Sequence, residues 1–266
     1  RTDAGAGVAT QHSSPIKRER TGLPSGLAIA ASWNPTLARD AGAMIGAEAH
    51  ASGFNVMLAG GVNLMRDPRN GRNFEYGGED PLLAGTIVGA QIAGIQSEHV
   101  ISTVKHFAFN DQETGRKHSS VTLADAAARQ SDLLAFEFAI ERGKPGSVMC
   151  AYNRVDTVYA CESGYLLTDV LRRDWGYTGY VMSDWGATHS TVAAANAGLD
   201  QQSGIPFDDA PYFGKPLAEA LADGRVSAAR LDEMAGRILR AMFTTGVIDH
   251  PVQERPIDFA AHARIA

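Results

Sequence analysis

The sequence predicts an α/β fold: a (β/α)8-type, TIM-like barrel, incomplete or irregular. Three observations carry that reading. Strand-length apolar runs alternate with amphipathic segments along most of the 266 residues, which argues for a parallel sheet. Polar and ionisable residues follow those runs directly, where a barrel places its chemistry. The alternative, a doubly wound nucleotide fold, needs a glycine-rich turn after its first strand. Asp3-Ala4-Gly5-Ala6-Gly7 has two glycines, no third in phase and no clear helix after it.

In chain order, Thr2 to Val8 reads as the end of a strand running into a loop, and Leu27 to Ala31 as a weak strand. Asn34-Pro35 supplies an N-cap and a proline at the first helical position. Leu37, Ala41, Met44, Ile45 and Ala49 then recur at helical spacing. Asn55 to Ala59 is a strand. Asp80-Pro81 opens a second helix in the same way, running to about Ser97. The strand Val100 to Val104 precedes a helix from about Leu123 to Arg142. The strand Ser147 to Ala151 precedes a shorter helix, Glu162 to Trp175. Tyr180 to Ser183 is a strand, Thr188 to Ala197 a helix and Gly198 to Gln201 a second weak strand. Ser227 caps the last helix, with Leu231, Met234, Ile238 and Met242 on one face and Gly246 as its stop. Roughly six strands result, where a complete barrel has eight in about 250 residues. We therefore expect a first βα unit upstream, or an irregular barrel. Residues 1–248 form the barrel domain. Residues 249–266 mix proline, charge and alanine and read as a linker towards a further domain.

Hydrophobic residues make up 44% and charged residues 20%, a globular balance that excludes a disordered chain, a collagen or a coiled coil. No run of about 18 apolar residues predicts a membrane span. The net charge is −6 with no basic block, a poor match to nucleic acid. Arg1 opens the chain without a methionine or a signal-peptide core, as in a mature or clipped chain. Cys150 and Cys161 are either two buried thiols or, in an exported protein, one disulfide. Two cysteines without clustered histidines fall short of a zinc set, so no metal is expected.

The residues after the strands define the expected site. Lys105-His106 follow one strand, Tyr152-Asn153 the next and Asp184-Trp185 the one after. Arg66-Asp67-Pro68-Arg69-Asn70-Gly71-Arg72-Asn73-Phe74-Glu75 fills the loop after Asn55 to Ala59. Charged side chains hydrogen-bond vicinal hydroxyls strongly, and aromatic faces cover the C–H face of a sugar ring. The set therefore suits a neutral polyol, and a carboxylate at Asp184 could attack an anomeric carbon. Each residue also has a plainer reading. A strand-end aspartate can cap a loop, Lys105 and His106 can form a structural ion pair, and the arginine run can be solvated surface. Glu113 and His118 read as structural or rim residues.

Arg66 to Glu75, Lys105-His106-Phe107, Met149-Cys150-Ala151-Tyr152-Asn153 and Met182-Ser183-Asp184-Trp185-Gly186 occur in one order along the chain. In that order they resemble glycoside hydrolase family 3, in particular its β-glucosidase branch. The resemblance implies a retaining, exo-acting enzyme that releases glucose from β-glucosides or cello-oligosaccharides through a glycosyl-Asp184 intermediate, with no cofactor. It implies that Asp3, Arg72, Lys105 and His106 bind sugar hydroxyls, that Tyr152 lies near the nucleophile and that Trp185 lines the pocket. Lys105, His106 and Arg72 are expected to hold the Asp184 pKa down by opposite charge. The general acid/base would be a glutamate on a following α/β domain. The resemblance also favours a Cys150–Cys161 disulfide, hence a secreted or periplasmic protein. A branch with its acid/base on the barrel carries Lys-His-Phe-Pro-Gly-His-Gly. This chain has Lys105-His106-Phe107-Ala108-Phe109-Asn110-Asp111 instead. The alternatives are a β-N-acetylglucosaminidase of that branch, a β-xylosidase, and a catalytically silent sugar-binding barrel. The loop from Gly204 to Gly214, with Ile205, Phe207, Tyr212 and Phe213, is apolar for a rim. It is expected to cover the pocket, pack on the second domain or contact another subunit of a homodimer.

Overall fold

The computed structural model describes residues 1–9, 18–204 and 207–266. Strands β1 (Thr2–Gly5), β2 (Gly7–Val8), β3 (Val56–Leu58), β4 (Ile101–Phe107), β6 (Ser147–Cys150) and β9 (Tyr180–Ser183) form one sheet in the order β2-β1-β3-β4-β6-β9. Every pairing is parallel except β1 with β2. All residues of β4, β6 and β9 are buried, as expected of parallel strands covered on both faces. The sheet is the wall of a TIM-like barrel, irregular because β2 runs antiparallel at its edge. A small sheet, β5 (Ser120–Val121), β7 (Arg154–Val155) and β8 (Val158–Tyr159), joins the loops above β4 and β6. The sequence carried no pattern for strands this short.

Helices α2 (Pro35–Ala51), α3 (Pro81–Ser97) and α5 (Asp132–Gly143) pack outside the sheet. Asn34 Oδ1 accepts from the Thr36 and Leu37 amides, and Asp80 Oδ1 from Leu83, as the Asn-Pro and Asp-Pro signals predicted. The α2–α3 approach is very close: a Cβ on Gly94 would lie 2.0 Å from the Arg39 carbonyl oxygen. Inside, Phe107 meets Phe136 and Trp175 edge-on at 5.1 and 5.8 Å.

Several elements differ from expectation. Leu27–Ala31 is not a strand but part of α1 (Gly26–Ala31), started by Ser25, whose Oγ accepts from Ala28. The helix expected from Leu123 to Arg142 is two, α4 (Asp125–Gln130) and α5. Ser131 breaks it with φ −129° and ψ −99°, while its hydroxyl bonds the Ala127 carbonyl and Asp132. Glu162–Trp175 becomes a 3₁₀ turn at 160–162 and a wider π-helix over Tyr165–Asp174. Thr188–Ala197 shortens to α6 (Val192–Ala197), and Gly198–Gln201 contributes only a parallel bridge between Gln201 and Met182. Helix α7 (Lys215–Ala222) was not anticipated. Helix α8 (Ala228–Thr244) starts at its Ser227 cap. Its buried positions are Met234 and Ala241, however, and Leu231 stays 39% exposed.

The sheet and α8 are tied by charge. Asp200, fully buried, pairs with Arg172, Arg230 and Arg237 at 2.8–2.9 Å and accepts from the Val181 amide of β9. Residues 249–266 lie along α2. The Arg255 amide bonds the Ala51 carbonyl, and His262 of α9 (Phe259–His262) meets the buried Glu48 at 2.8 Å.

Candidate active site

The carboxyl ends of the parallel strands bring the expected residues together. Asp3 is on β1, Lys105 and His106 lie near the end of β4, Tyr152 follows β6, and Asp184-Trp185 follow β9. Arg72 arrives from the loop after β3, where a 3₁₀ turn over Asn73–Glu75 folds it back. Asp3, Arg72, His106, Tyr152, Asp184 and Trp185 line one cavity of about 520 Å³, with Met149, Glu113, Arg116 and Phe207 completing it. Lys105 stands behind that wall, 2% exposed, with Nζ 3.0 Å from Asp3 Oδ1 and 3.3 Å from Glu75 Oε2.

Asp184 is held by one oxygen and free at the other. Its Oδ1 accepts from the Trp185 amide at 2.7 Å, whereas its buried Oδ2 has no hydrogen-bond partner. The turn that allows this needs Gly186. Its φ is +77°, and a Cβ there would meet the Phe207 carbonyl oxygen at 2.7 Å. The Tyr152 hydroxyl faces the carboxylate and works to lower its pKa.

His106 shows why proximity to Asp184 is not an ion pair. Its Nε2 lies 3.6 Å from Asp184 Oδ2 but 2.9 Å from Arg72 Nη2. A guanidinium only donates, so Nε2 is an acceptor and the ring hydrogen sits on Nδ1, 3.2 Å from the Tyr76 hydroxyl. Burial first, then Arg72 and Lys105, hold the His106 pKa well below the usual imidazole range. Asn63 clamps the same residue through the backbone, accepting from its amide and donating to its carbonyl.

The pKa of Asp184 corrects the expectation of opposite-charge control. It lies above the ordinary carboxylate value, because burial outweighs the Trp185 amide, Lys105, Arg72 and Tyr152, all of which lower it. Neutral His106 adds no attraction. The cations offset the desolvation of the carboxylate only in part.

Glu75 closes the Arg66–Glu75 run but has no role legible in the sequence. Its Oε1 accepts from Arg72 Nε at 2.6 Å and its Oε2 from Lys105. Burial raises the Glu75 pKa, but Lys105 and Arg72 more than reverse this and leave it below the ordinary value. Opposite charges three residues apart on a turn were the available signal. Arg116, also missed, covers the Tyr152 ring at 4.3 Å and pairs with Glu113 at 2.6 Å. Its loop has no periodicity that would single it out. Phe207, 60% exposed, meets Trp185 edge-on at 4.9 Å, so the Gly204–Gly214 loop reaches the cavity rim. Ile205 lies outside the described residues. Cys150 and Cys161 form a disulfide between the end of β6 and the turn before the π-helix.

The model of the glycosyl hydrolase family 3 N-terminal domain matches residues 8–241. Beta-glucosidase BoGH3A of Bacteroides ovatus is 41% identical over 238 residues, covering 85% of this chain and 32% of that protein. An exo-alpha-(1->6)-L-arabinopyranosidase of Bifidobacterium breve is 39% identical over 215 residues, covering 81% of this chain and 28% of that protein. The structure of beta-glucosidase 3B from Thermotoga neapolitana with glucose superposes over 99% of this chain and 38% of its own, at 33% identity and a TM-score of 0.92. The chain thus spans 28–38% of the length of these three relatives.

Proposed function

The chain belongs to glycosyl hydrolase family 3, and from that membership we propose that it is the nucleophile-bearing, sugar-binding domain of a retaining, exo-acting β-glucosidase. The observation that carries the proposal is Asp184 Oδ2, a buried carboxylate oxygen without a partner in the cavity wall beside Arg72, Tyr152 and Trp185. Oδ2 attacks the anomeric carbon and the bond to the leaving oxygen breaks, giving a glycosyl ester on Asp184. The leaving oxygen takes its proton from a carboxylic acid supplied by a segment outside this chain. That acid stands about 5–5.5 Å from Asp184 in a retaining pair, and the greater length of the relatives supports its lying on a further domain. Water then displaces Asp184 with the same carboxyl as base. Arg72 and Asp3 donate to and accept from the non-reacting hydroxyls, Lys105 fixes Asp3 from behind, and Trp185 with Phe207 borders the leaving group. The disulfide supports export to a secreted or periplasmic setting.

The test uses a 2-deoxy-2-fluoro-β-glucosyl donor with a good leaving group, which needs little acid assistance. Intact mass and peptide mapping are expected to show one fluoroglucosyl adduct, on Asp184. If neither this chain nor one carrying the following domain gives an adduct, the protein is a sugar-binding barrel rather than a glucosidase. The arabinopyranosyl analogue run in parallel reads whether the pocket accommodates a sugar without the C6 hydroxymethyl.

A further inference from the structure

A second cavity, of about 440 Å³, lies behind the active-site loops and shares no lining residue with the first. The same segments wall both. Gln112 borders one and Glu113 the other, and Asn153 borders one and Tyr152 the other. Asn110 is 1% exposed and lines the second cavity, yet neither its Oδ1 nor its Nδ2 has a protein partner. Asp111 Oδ1 and Asn153 Oδ1, in the same lining, also have none. Phe109, Val121 and Leu123 supply an apolar wall. A buried polar group left unpaired costs about 1–3 kcal/mol. Three such side chains around one cavity indicate a ligand that satisfies them.

Charge narrows its class. Arg66 is bonded to Asp132 and lies 3.5 Å from Asp111, so one cation faces two carboxyls, while the third carboxyl of the lining, Asp67, is paired with Arg69 at 3.0 Å. Burial, then Asp132, pushes the Asp111 carboxyl up to about 8, against the pull of Arg66, which favours its neutral form. An anion would meet mostly acceptors, and a cation would meet Arg66. The unpaired atoms mix donors with acceptors, which suits hydroxyl groups, each of which does both. Phe109 and Leu123 would cover C–H surface. We propose that this cavity is a second binding site for a neutral polyhydroxylated ligand of monosaccharide size, distinct from the Asp184 cavity.

The inference stands independently of the glucosidase reading, and one titration separates them. The ¹⁵N-labelled chain is titrated with glucose and with myo-inositol. The side-chain amide signals of Asn110 and Asn153 report the second cavity, and the Trp185 indole reports the first. The amide signals are expected to move with their own midpoint. Asn110→Leu should weaken that response at least tenfold and leave the Trp185 response in place. Leu123→Trp, at a partly exposed position, should fill the cavity and do the same should Asn110→Leu not fold. Amide signals that stay still at saturating sugar, or that follow the Trp185 midpoint in both variants, overturn the proposal. So does a response to sulfate or magnesium in place of the sugars. A silent Trp185 with responding amides counts against the glucosidase and leaves this site standing.

Discussion

Asp184 carries a cost that the fold does not remove. Its pKa is raised in the native state, chiefly by burial. Native protein therefore holds the proton over a window in which unfolded chain has lost it, starting at about 3.9. Stability falls as pH rises through that window, up to the native pKa. Asp184→Asn is accordingly expected to melt above the parent at neutral pH, with the gap closing on acidification, as followed by thermal denaturation. Glu75 presents the opposite case, a carboxylate that two cations keep ionised. Glu75→Gln loosens Arg72 and Lys105 together, and we expect weaker sugar binding by roughly tenfold, about 1.4 kcal/mol, read by calorimetric titration with glucose. Strand-end position made Asp184, His106 and Tyr152 legible in the sequence. The hub role of Glu75 was not legible, because it depends on Lys105 arriving from a different strand.

Helices with an Asn-Pro or Asp-Pro start were legible because cap and proline both act locally. The break at Ser131 was not, since a serine inside an amphipathic run ends a helix only when its hydroxyl finds better partners, here the Ala127 carbonyl and Asp132. The π-helix was hidden for a similar reason: its apolar spacing still reads as helical. At the end of β6 the Cys150–Cys161 link closes a loop with a sequence separation of 11. Replacing both cysteines by serine is expected to cost about 2–3 kcal/mol by loop entropy, measured by urea denaturation. The loss should be accompanied by slower labelling of Asp184, whose amide bonds the Cys150 carbonyl.

Across the whole molecule, the barrel class was readable from alternation together with the polar residues after the strands, whereas the tie between β9 and α8 was not. Asp200 joins β9, the π-helix and α8 through three arginines and the Val181 amide. Burial pulls the Arg172 guanidinium down to about 10 despite the attraction of Asp200. Asp200→Ala strands three cations at once. A loss of about 3–5 kcal/mol follows, which lowers the melting temperature by roughly 10 °C. In the sequence this residue sat in a weak strand candidate. Its arginine partners come from 28 to 37 positions away, beyond any local pattern.

The split between the two Asp184 oxygens reaches further than choosing which one attacks. In Asp184→Asn the Trp185 amide demands an acceptor, so the side-chain carbonyl must take the Oδ1 place and the NH2 group the Oδ2 place. A lone pair aimed at carbon is thereby exchanged for a proton aimed at oxygen. The substituted protein is then a receptor with reversed polarity at one atom, able to grip a ring or glycosidic oxygen that the parent carboxylate repels.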